Sequence, residues 1–323
     1  MRAPRLRSGT IGVRLARTVG VLVVVSIMVF LALRLTPGDP AALLLGPQAQ
    51  GQPGYKAEIA ALHRQMGLNE PLPVQYLIWI KGIVTGNFGQ SNQNGAPVLH
   101  MLLAAAPPTL FLIGLSLIIA IPISIIIGTV AAYRRSGIVD RLVRALAALS
   151  LATPTFWLGI LLILLFAVRL HALPATGYVS PLVSPVQFAR SMALPVATVV
   201  VYLTGVLTRY VYSEMCDVCG QDYIRTVRAL GIAERVVLFR YALRNALIPL
   251  IAIVGIQFAA LISGAILVEQ VFGLGGVGQL MLQGVVLKDY PLVQGGVLLI
   301  TIVVIVVNTV ADLLSRWADP RLA

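Results

Sequence analysis

Charge is the scarcest property of this sequence. Only 11% of its 323 residues are Asp, Glu, Lys or Arg, where a soluble domain carries about 25%. A water-facing surface cannot be assembled from so few charges, and with 58% hydrophobic residues and a mean hydropathy of +0.91 the composition is that of an integral membrane protein. Cysteine is nearly absent. Cys216 and Cys219 form a C-x-x-C pair, but a structural zinc site needs four ligands and neither a second pair nor a nearby His is present. The three His (His63, His100, His171) are scattered, so no metal site is assigned. H-E-x-x-H, G-x-S-x-G and G-x-x-x-x-G-K-[ST] patterns are all missing, which removes the commonest signatures of metalloprotease, serine hydrolase and nucleotide-binding chemistry. Gly273–Gly278 does match G-x-G-x-x-G, yet no β-α pattern or acidic partner follows it, and it reads as a flexible external turn. Basic runs interleaved with aromatics are also lacking, so the net charge of +12 does not point to nucleic acid.

What is present is a series of long apolar runs. A hydrocarbon core of about 30 Å needs about 20 apolar residues per helix. Six stretches qualify: Val13–Leu35, Pro108–Tyr133, Leu146–Leu170, Met192–Tyr212, Ala246–Val268 and Val293–Leu314. Backbone groups in lipid must bond internally, which favours helices. Arg2, Arg5, Arg7, Arg14 and Arg17 precede the first run, but no small-residue cleavage site follows it, so it reads as an uncleaved helix. Six spans place both termini on one side. That side also holds Arg134, Arg135, Arg141 and Arg144, then Arg209, Arg225, Arg228, Arg235, Arg240 and Arg244, and finally Arg316 and Arg321. The positive-inside rule makes it cytoplasmic.

The expected organisation is therefore an arm, first helix and external segment over 1–107, a five-helix transmembrane domain over 108–316, and a cytoplasmic tail over 317–323. Within the external segment Tyr55–Met66 and Pro73–Val84 are amphipathic candidates, the first closed by Gly67,. Tyr76 and Trp79 are interface anchors. A packed external cap and a contact surface for a soluble partner are both compatible with them. The spans carry almost no ionisable residues, which ion- and proton-coupled transporters need. Their neutral polar residues include Ser116, Ser124, Thr204, Gln257, Ser263, Thr301 and Asn308, better suited to helix–helix hydrogen bonds than to ligand contact; Gln257, Ser263 and Asn308 are the candidates for lining a pathway. Pro122 and Gly128 allow a kink in the second span.

The most charge-dense stretch is the polar loop Gln221–Pro249, inside a loop region of about 213–249. Asp222 is placed to cap a short helix, Tyr223–Leu230, which Gly231 closes. Tyr223, Val227 and Leu230 recur at helical spacing, with Arg225 and Arg228 on other faces. A second helix over Ala233–Ala242 leads towards Pro249. Physics alone leaves two readings open: a docking helix for a partner protein, or an amphipathic loop on anionic lipid.

These residues, taken together, resemble a known family. Asp222–Gly231 followed by Arg240–Pro249 is similar to the cytoplasmic loop, the EAA motif, of ABC-importer permeases of the dipeptide/oligopeptide branch, in particular their first permease subunit. Thr36–Pro40 (TPGDP), Leu68–Tyr76 (LNEPLPVQY), Gly86–Ser91 (GNFGQS), Val268–Phe272, Asp289–Pro291 and Asp319–Arg321 sit in the family's order. Literal Glu-Ala-Ala is absent, Arg225, Thr226 and Val227 standing there instead, and the spacing from Gly231 to Pro249 exceeds that of sugar permeases. Cys216 and Cys219 depart from the family's usual residues. The resemblance implies an all-α membrane protein of the type I importer permease fold, with six transmembrane helices and cytoplasmic termini. It implies a pairing with a second homologous permease, two ABC ATPases that carry ATP and Mg, and an external binding protein that delivers peptide. No cofactor is expected on this chain, and no enzyme activity. Nickel chelates, glutathione or sugars are alternative cargoes, and a secondary transporter is the rival class. Asp222, Tyr223, Arg225, Thr226, Val227, Arg228, Ala229, Gly231, Arg240, Asn245 and Pro249 are implied as the ATPase-coupling loop, with Tyr76 and Trp79 as contacts for the binding protein.

Overall fold

The computed structural model describes residues 8–34, 39–46, 51–65, 67–135 and 137–318. Met66 and the motif residues Thr36–Gly38 and Asp319–Arg321 lie outside the described residues, as do Arg2, Arg5 and Arg7. In chain order the helices are α1 Ser8–Arg34, α2 Pro40–Leu45, α3 Tyr55–Gln65, α4 Leu72–Val84, α5 Val98–Tyr133, α6 Ile138–Ala152 and α7 Thr155–Leu162, which widens into a π-helical stretch over Ile163–Arg169,. Then come α8 Pro185–Cys219, α9 Asp222–Ala229, α10 Glu234–Val236, a π-helical stretch Val237–Ala242, α11 Leu243–Phe272, α12 Val277–Val286 and α13 Tyr290–Ala318. The one β feature among the described residues is an antiparallel bridge between Gln90 and Pro97.

Four stretches are long and apolar enough to cross a membrane: Val98–Tyr133, Pro185–Cys219, Glu234–Phe272 and Tyr290–Ser315. Large apolar side chains stand exposed on them, Ile118 at 68% and Ile126 at 61% among them, a surface suited to lipid rather than water. The first expected span lies on α1, whose apolar described part is Thr18–Ala32. The third differs from expectation. Instead of one helix over Leu146–Leu170, α6 and Thr155–Arg169 meet at a bend of 97°. Pro154 lacks an N–H and pushes the residue before it out of the helical region; Thr153 is accordingly extended, at φ −84° and ψ 119°. Its N–H and its hydroxyl both donate to the Leu149 carbonyl, at 3.0 and 2.8 Å, which fixes the break.

The chain folds as two compact units. One comprises Pro107–Gln279 with the chain from Val306; Leu280–Ile305 groups with the described chain before Pro107. In the first unit α8 is the central element, packed against α6, α7 and α11, with 67% of its most apolar stretch buried. Small residues set the closest approaches. A Cβ on Gly128 would lie 2.8 Å from Val211 Cβ and 3.1 Å from the Thr208 carbonyl, so Gly128 serves the approach of α8 to α5, which continues through Pro122. The polar residues of the spans turn mostly to their own helix: Ser124 donates to Ala120 and Thr301 to Val297, at 2.6 and 2.7 Å, where helix–helix bonds were expected. Ser124 alone of these two also reaches across, 3.4 Å from the Thr204 carbonyl.

In the second unit Phe30 of α1 is 3% exposed and packs edge-to-face on Tyr76 and at a tilt on Trp79 of α4, with centroids 5.6 and 5.8 Å away. Gln75 donates to the carbonyls of Leu68 and Glu70, folding the Leu68–Tyr76 motif onto itself. Asp39 caps α2 through Ala41 N–H and pairs with His63 of α3 at 2.8 Å. Burial pushes the Asp39 carboxyl up, but the His63 and Ala41 hydrogen bonds outweigh it and hold the group below the usual carboxylate value. Asp289 is 1% exposed; it accepts from the Ser91 hydroxyl, from Asn92 N–H at 3.1 Å and from Leu292 N–H at 3.4 Å. The Gly86–Ser91 motif is thereby tied to the start of α13. α3 ends at Gly67, whose φ of +65° accompanies a bond from Leu68 N–H to the His63 carbonyl, as expected for a glycine-closed helix.

Replacing Gly128 by Ala should lower the thermal unfolding midpoint in detergent, with a cost of about 1–3 kcal/mol, since Val211 is β-branched and has little freedom to yield. Val211→Ala in the same chain should recover part of the loss; an unchanged midpoint in the single variant would show that α5 and α8 do not pack this closely.

Candidate functional site

The loop expected to carry function is ordered by a single apolar anchor. Ile224 of α9 has no exposed surface, and Val237, Leu238 and Ala242, which lie in the π-helical stretch that α9 packs against, are buried as well. An eight-residue helix is unstable alone in water, so this contact holds α9. The helix begins one residue earlier than expected. Gln221 is the N-cap residue and offers no side-chain cap; Asp222 lies within the first turn, where its charge suits the helix dipole, rather than capping it. Gly231 closes the helix with φ +74°, its N–H donating to the Arg228 carbonyl at 2.9 Å.

Around the anchor the polar side chains brace α9 to its neighbours. Arg228 grips Glu234 at 2.8 Å and reaches the Cys219 carbonyl at 3.5 Å; hydrogen bonding to Glu234 holds its guanidinium above the ordinary arginine value. Asn245 donates to the Tyr223 hydroxyl at 2.8 Å, tying α9 directly to α11. Arg225 pairs with Asp222 at 3.2 Å, but both are well exposed and such a pair adds little. Thr226 bonds back to the Asp222 carbonyl. Arg225, Thr226, Ala229 and Leu230 are exposed and Val227 is half-buried. The expected apolar face of Tyr223, Val227 and Leu230 therefore gives way to Ile224, supported by Val227, with Leu230 73% exposed. The spacing of Ile224 and Val227 was the signal for it. Arg240 is exposed on the π-helical stretch, and Pro249 is exposed within α11. The second loop helix runs on into α11, so that Glu234–Phe272 forms one apolar stretch of 39 residues.

The other named residues are dispersed. Tyr76 and Trp79 are half-buried against Phe30, and Tyr76 hydrogen-bonds Ser26 at 2.8 Å. Gln257 and Asn308 are half-buried and Ser263 is exposed; Asn308 Oδ1 lies 3.2 Å from where a Cβ on Gly255 would stand. Cys216 and Cys219 are free thiols, and no cluster of three metal-ligating residues occurs among the described residues.

One organised group joins the Val268–Phe272 motif and the Gly273–Gly278 turn, which the sequence left unconnected, to Thr109. Glu269, in the last turn of α11, has no exposed surface. Thr109 of α5 donates to its Oε1 at 2.5 Å and Gln279 N–H to its Oε2 at 2.9 Å, while Val277 N–H donates to the Thr109 hydroxyl at 2.9 Å. The Gly273–Gly278 turn, expected to be a flexible excursion, is wrapped around this carboxyl group: a Cβ on Gly276 would lie 2.5 Å from it and one on Gly278 2.9 Å. Gly273 and Gly275 take the left-handed conformation that starts the wrap,.

Apolar spans carrying a braced polar loop at one end define a polytopic membrane protein with a rigid surface element. The chain belongs to the family of binding-protein-dependent transport system inner membrane components, whose description matches residues 124–323, with the amino-terminal component of the same family matching 11–113. A probable peptide ABC transporter permease of Sinorhizobium fredii is 37% identical over 96% of this chain and 97% of its own. A putative peptide transport system permease of Brucella abortus is 38% identical over 95% and 96%, and a glutathione transport system permease of Salmonella paratyphi A is 37% identical over 96% and 97%. In fold the chain is similar to the methionine ABC transporter MetNI in an inward-facing conformation, with a TM-score of 0.56, 19% identity, and coverage of 68% of this chain and 96% of that one.

The Glu269 group yields a double-mutant test. Gly276→Ala and Glu269→Ala should each destabilise the protein by about 1–3 kcal/mol, the first by overpacking and the second by stranding buried donors. The double variant should lose clearly less than the sum, read from unfolding midpoints in detergent. Additive losses would mean that the turn is not built on this carboxyl group.

Proposed function

We propose that this chain is one permease subunit of an ATP-driven peptide importer. It crosses the cell membrane six times, with α1 and the bent α6–α7 pair completing the four continuous spans, and has both termini in the cytoplasm. It pairs with a second, homologous permease to enclose the pathway. Two ABC ATPases dock on the α9 loops and bind the ATP and Mg, and an external binding protein delivers the cargo. The chain itself holds no cofactor and hydrolyses nothing. The observation that carries this reading is the bracing of α9: anchored by Ile224, tied to α11 through Asn245 and Tyr223, yet presenting Arg225, Thr226, Ala229 and Leu230 outward. A loop meant only to lie on lipid has no need of a rigid link to a span.

The relatives' names support short peptides as cargo, and glutathione, itself a tripeptide, falls within that class. Nucleotide and loaded binding protein each favour one access state, so each raises or lowers the other's affinity by the same factor. The first hundred residues would meet the binding protein, with Tyr76 and Trp79 shaping that surface from their seat on α1.

Two substitutions test the docking role. Ala229→Glu adds a bulky charge to the outward face, and Gly231→Val forces a β-branched residue into a positive φ at about 1–3 kcal/mol. Each should cut co-purification of the ATPase subunits at least tenfold while the chain still reaches the membrane in normal amount. A full ATPase complement on both variants would overturn the docking assignment.

A further inference from the structure

The break in the third span leaves more than a bend. After Thr153 has taken the Leu149 carbonyl, the carbonyls of Leu151 and Ala152 accept no hydrogen bond among the described residues. On the other side of the break no side chain caps Pro154, and the first bond of α7 runs from Leu158 N–H to the Pro154 carbonyl. The N–H groups of Thr155, Phe156 and Trp157 are therefore without partners among the described residues. Backbone left open within a bilayer costs several kcal/mol per group, and it persists only where it is buried in protein or lines a wet cavity.

A half-open cavity lies at the break. It holds about 370 Å³ and is walled by Leu151–Thr155 at the break, by Val199 and Tyr202 half-way along α8, and by Leu261 and Gly264 of α11. The Tyr202 hydroxyl makes no hydrogen bond among the described residues, and the volume falls at the lower end of small-ligand sites, about 300–1,000 Å³. α11 opens the cavity further, because a Cβ on Gly264 would meet nothing within 4 Å.

We propose that this cavity is a station for the cargo inside the membrane, binding the backbone of an extended short peptide. The match is chemical. A peptide unit brings one N–H and one C=O, and the break offers the complement: free carbonyls at Leu151 and Ala152, a free N–H at Thr155, and a hydroxyl at Tyr202 able to give or accept. Val199, Leu261 and Val268 supply apolar wall without selecting a side chain, which suits a pathway that passes many sequences. An inorganic cation would find neutral oxygens but no carboxylate in this lining, and a lipid chain would leave the backbone groups unpaired. The station rests on the peptide-importer reading above.

The experiment uses the whole importer, this chain with its partner subunits, reconstituted into lipid vesicles and supplied with a labelled tripeptide. Gly264→Leu fills the cavity and should slow uptake at least tenfold; Gly114→Leu, at a glycine on α5 that also has open space beyond its Cβ and lies outside the cavity, should leave uptake unchanged. Wild-type uptake by Gly264→Leu would overturn the station. Should Gly264→Leu fail to assemble, Gly264→Cys in a chain carrying Cys216→Ser and Cys219→Ser decides. A charged methanethiosulfonate should label it from water, and the tripeptide should slow labelling at least threefold. Absent labelling, or labelling indifferent to the peptide while wild type still imports it, rejects the station alone. A wild-type importer that carries no peptide rejects the peptide reading, and the peptide station with it.

Discussion

The constraint on which the structure depends is that backbone N–H and C=O groups inside a bilayer have nowhere to bond except within the protein. It forces the spans into helices, and it also explains where polar side chains go. Ser124 and Thr301 return their hydroxyls to carbonyls one turn back on their own helices; Thr301 asks nothing of a neighbour, while Ser124 also makes a long contact with the Thr204 carbonyl of α8. Gly128 marks a close helix contact, where the backbone of α8 comes within reach of α5. Against this background the Thr153–Pro154 break is an exception, and its neighbours treat it as one. Thr153 closes what it can with two bonds to Leu149, and Leu151–Thr155 border a half-open cavity.

The sequence made the local patterns legible and left the distant pairings hidden. Helices over Tyr55–Gln65 and Leu72–Val84, the closing glycines Gly67 and Gly231, and the continuity of the loop into α11 all follow from spacing and turn chemistry within a few residues. The anchor of α9 was less legible because two helical turns hold too few apolar residues to fix a face: Tyr223, Val227 and Leu230 fit the period, yet Ile224 is the one buried. Glu269 was hidden for a different reason. Its partner Thr109 lies 160 residues away, and a glycine-rich turn following an apolar run reads as slack unless the carboxyl group inside it is known. The same holds for Asp289 and Ser91, separated by 198 positions: both motifs were visible, but nothing in either pointed to the other.

Glycine carries two opposite meanings in this chain, and only surroundings separate them. Gly276 and Gly278 are small because a carboxyl group occupies the space a side chain would take, whereas Gly264 has nothing beyond it. The first kind marks packing already complete. The second marks open space, and at Gly264 that space lies beside unpaired backbone.

Transmission through the molecule follows from the same elements. α9 cannot rotate on its own axis without breaking either the Ile224 anchor or the Asn245–Tyr223 bond, so a displacement of α9 is passed to α11. From there the apolar stretch Glu234–Phe272 is a single rod of 39 residues, about 60 Å long at 1.5 Å per residue. Its softer points are the π-helical stretch Val237–Ala242 and Pro249, where the ladder of helix bonds is altered or interrupted,. Both precede Gly264, and Glu269 fixes the far end of the rod to α5 through Thr109. A rod held at its far end and pushed at its loop end is displaced most beside the loop, at the π-helical stretch and Pro249, and progressively less towards Glu269.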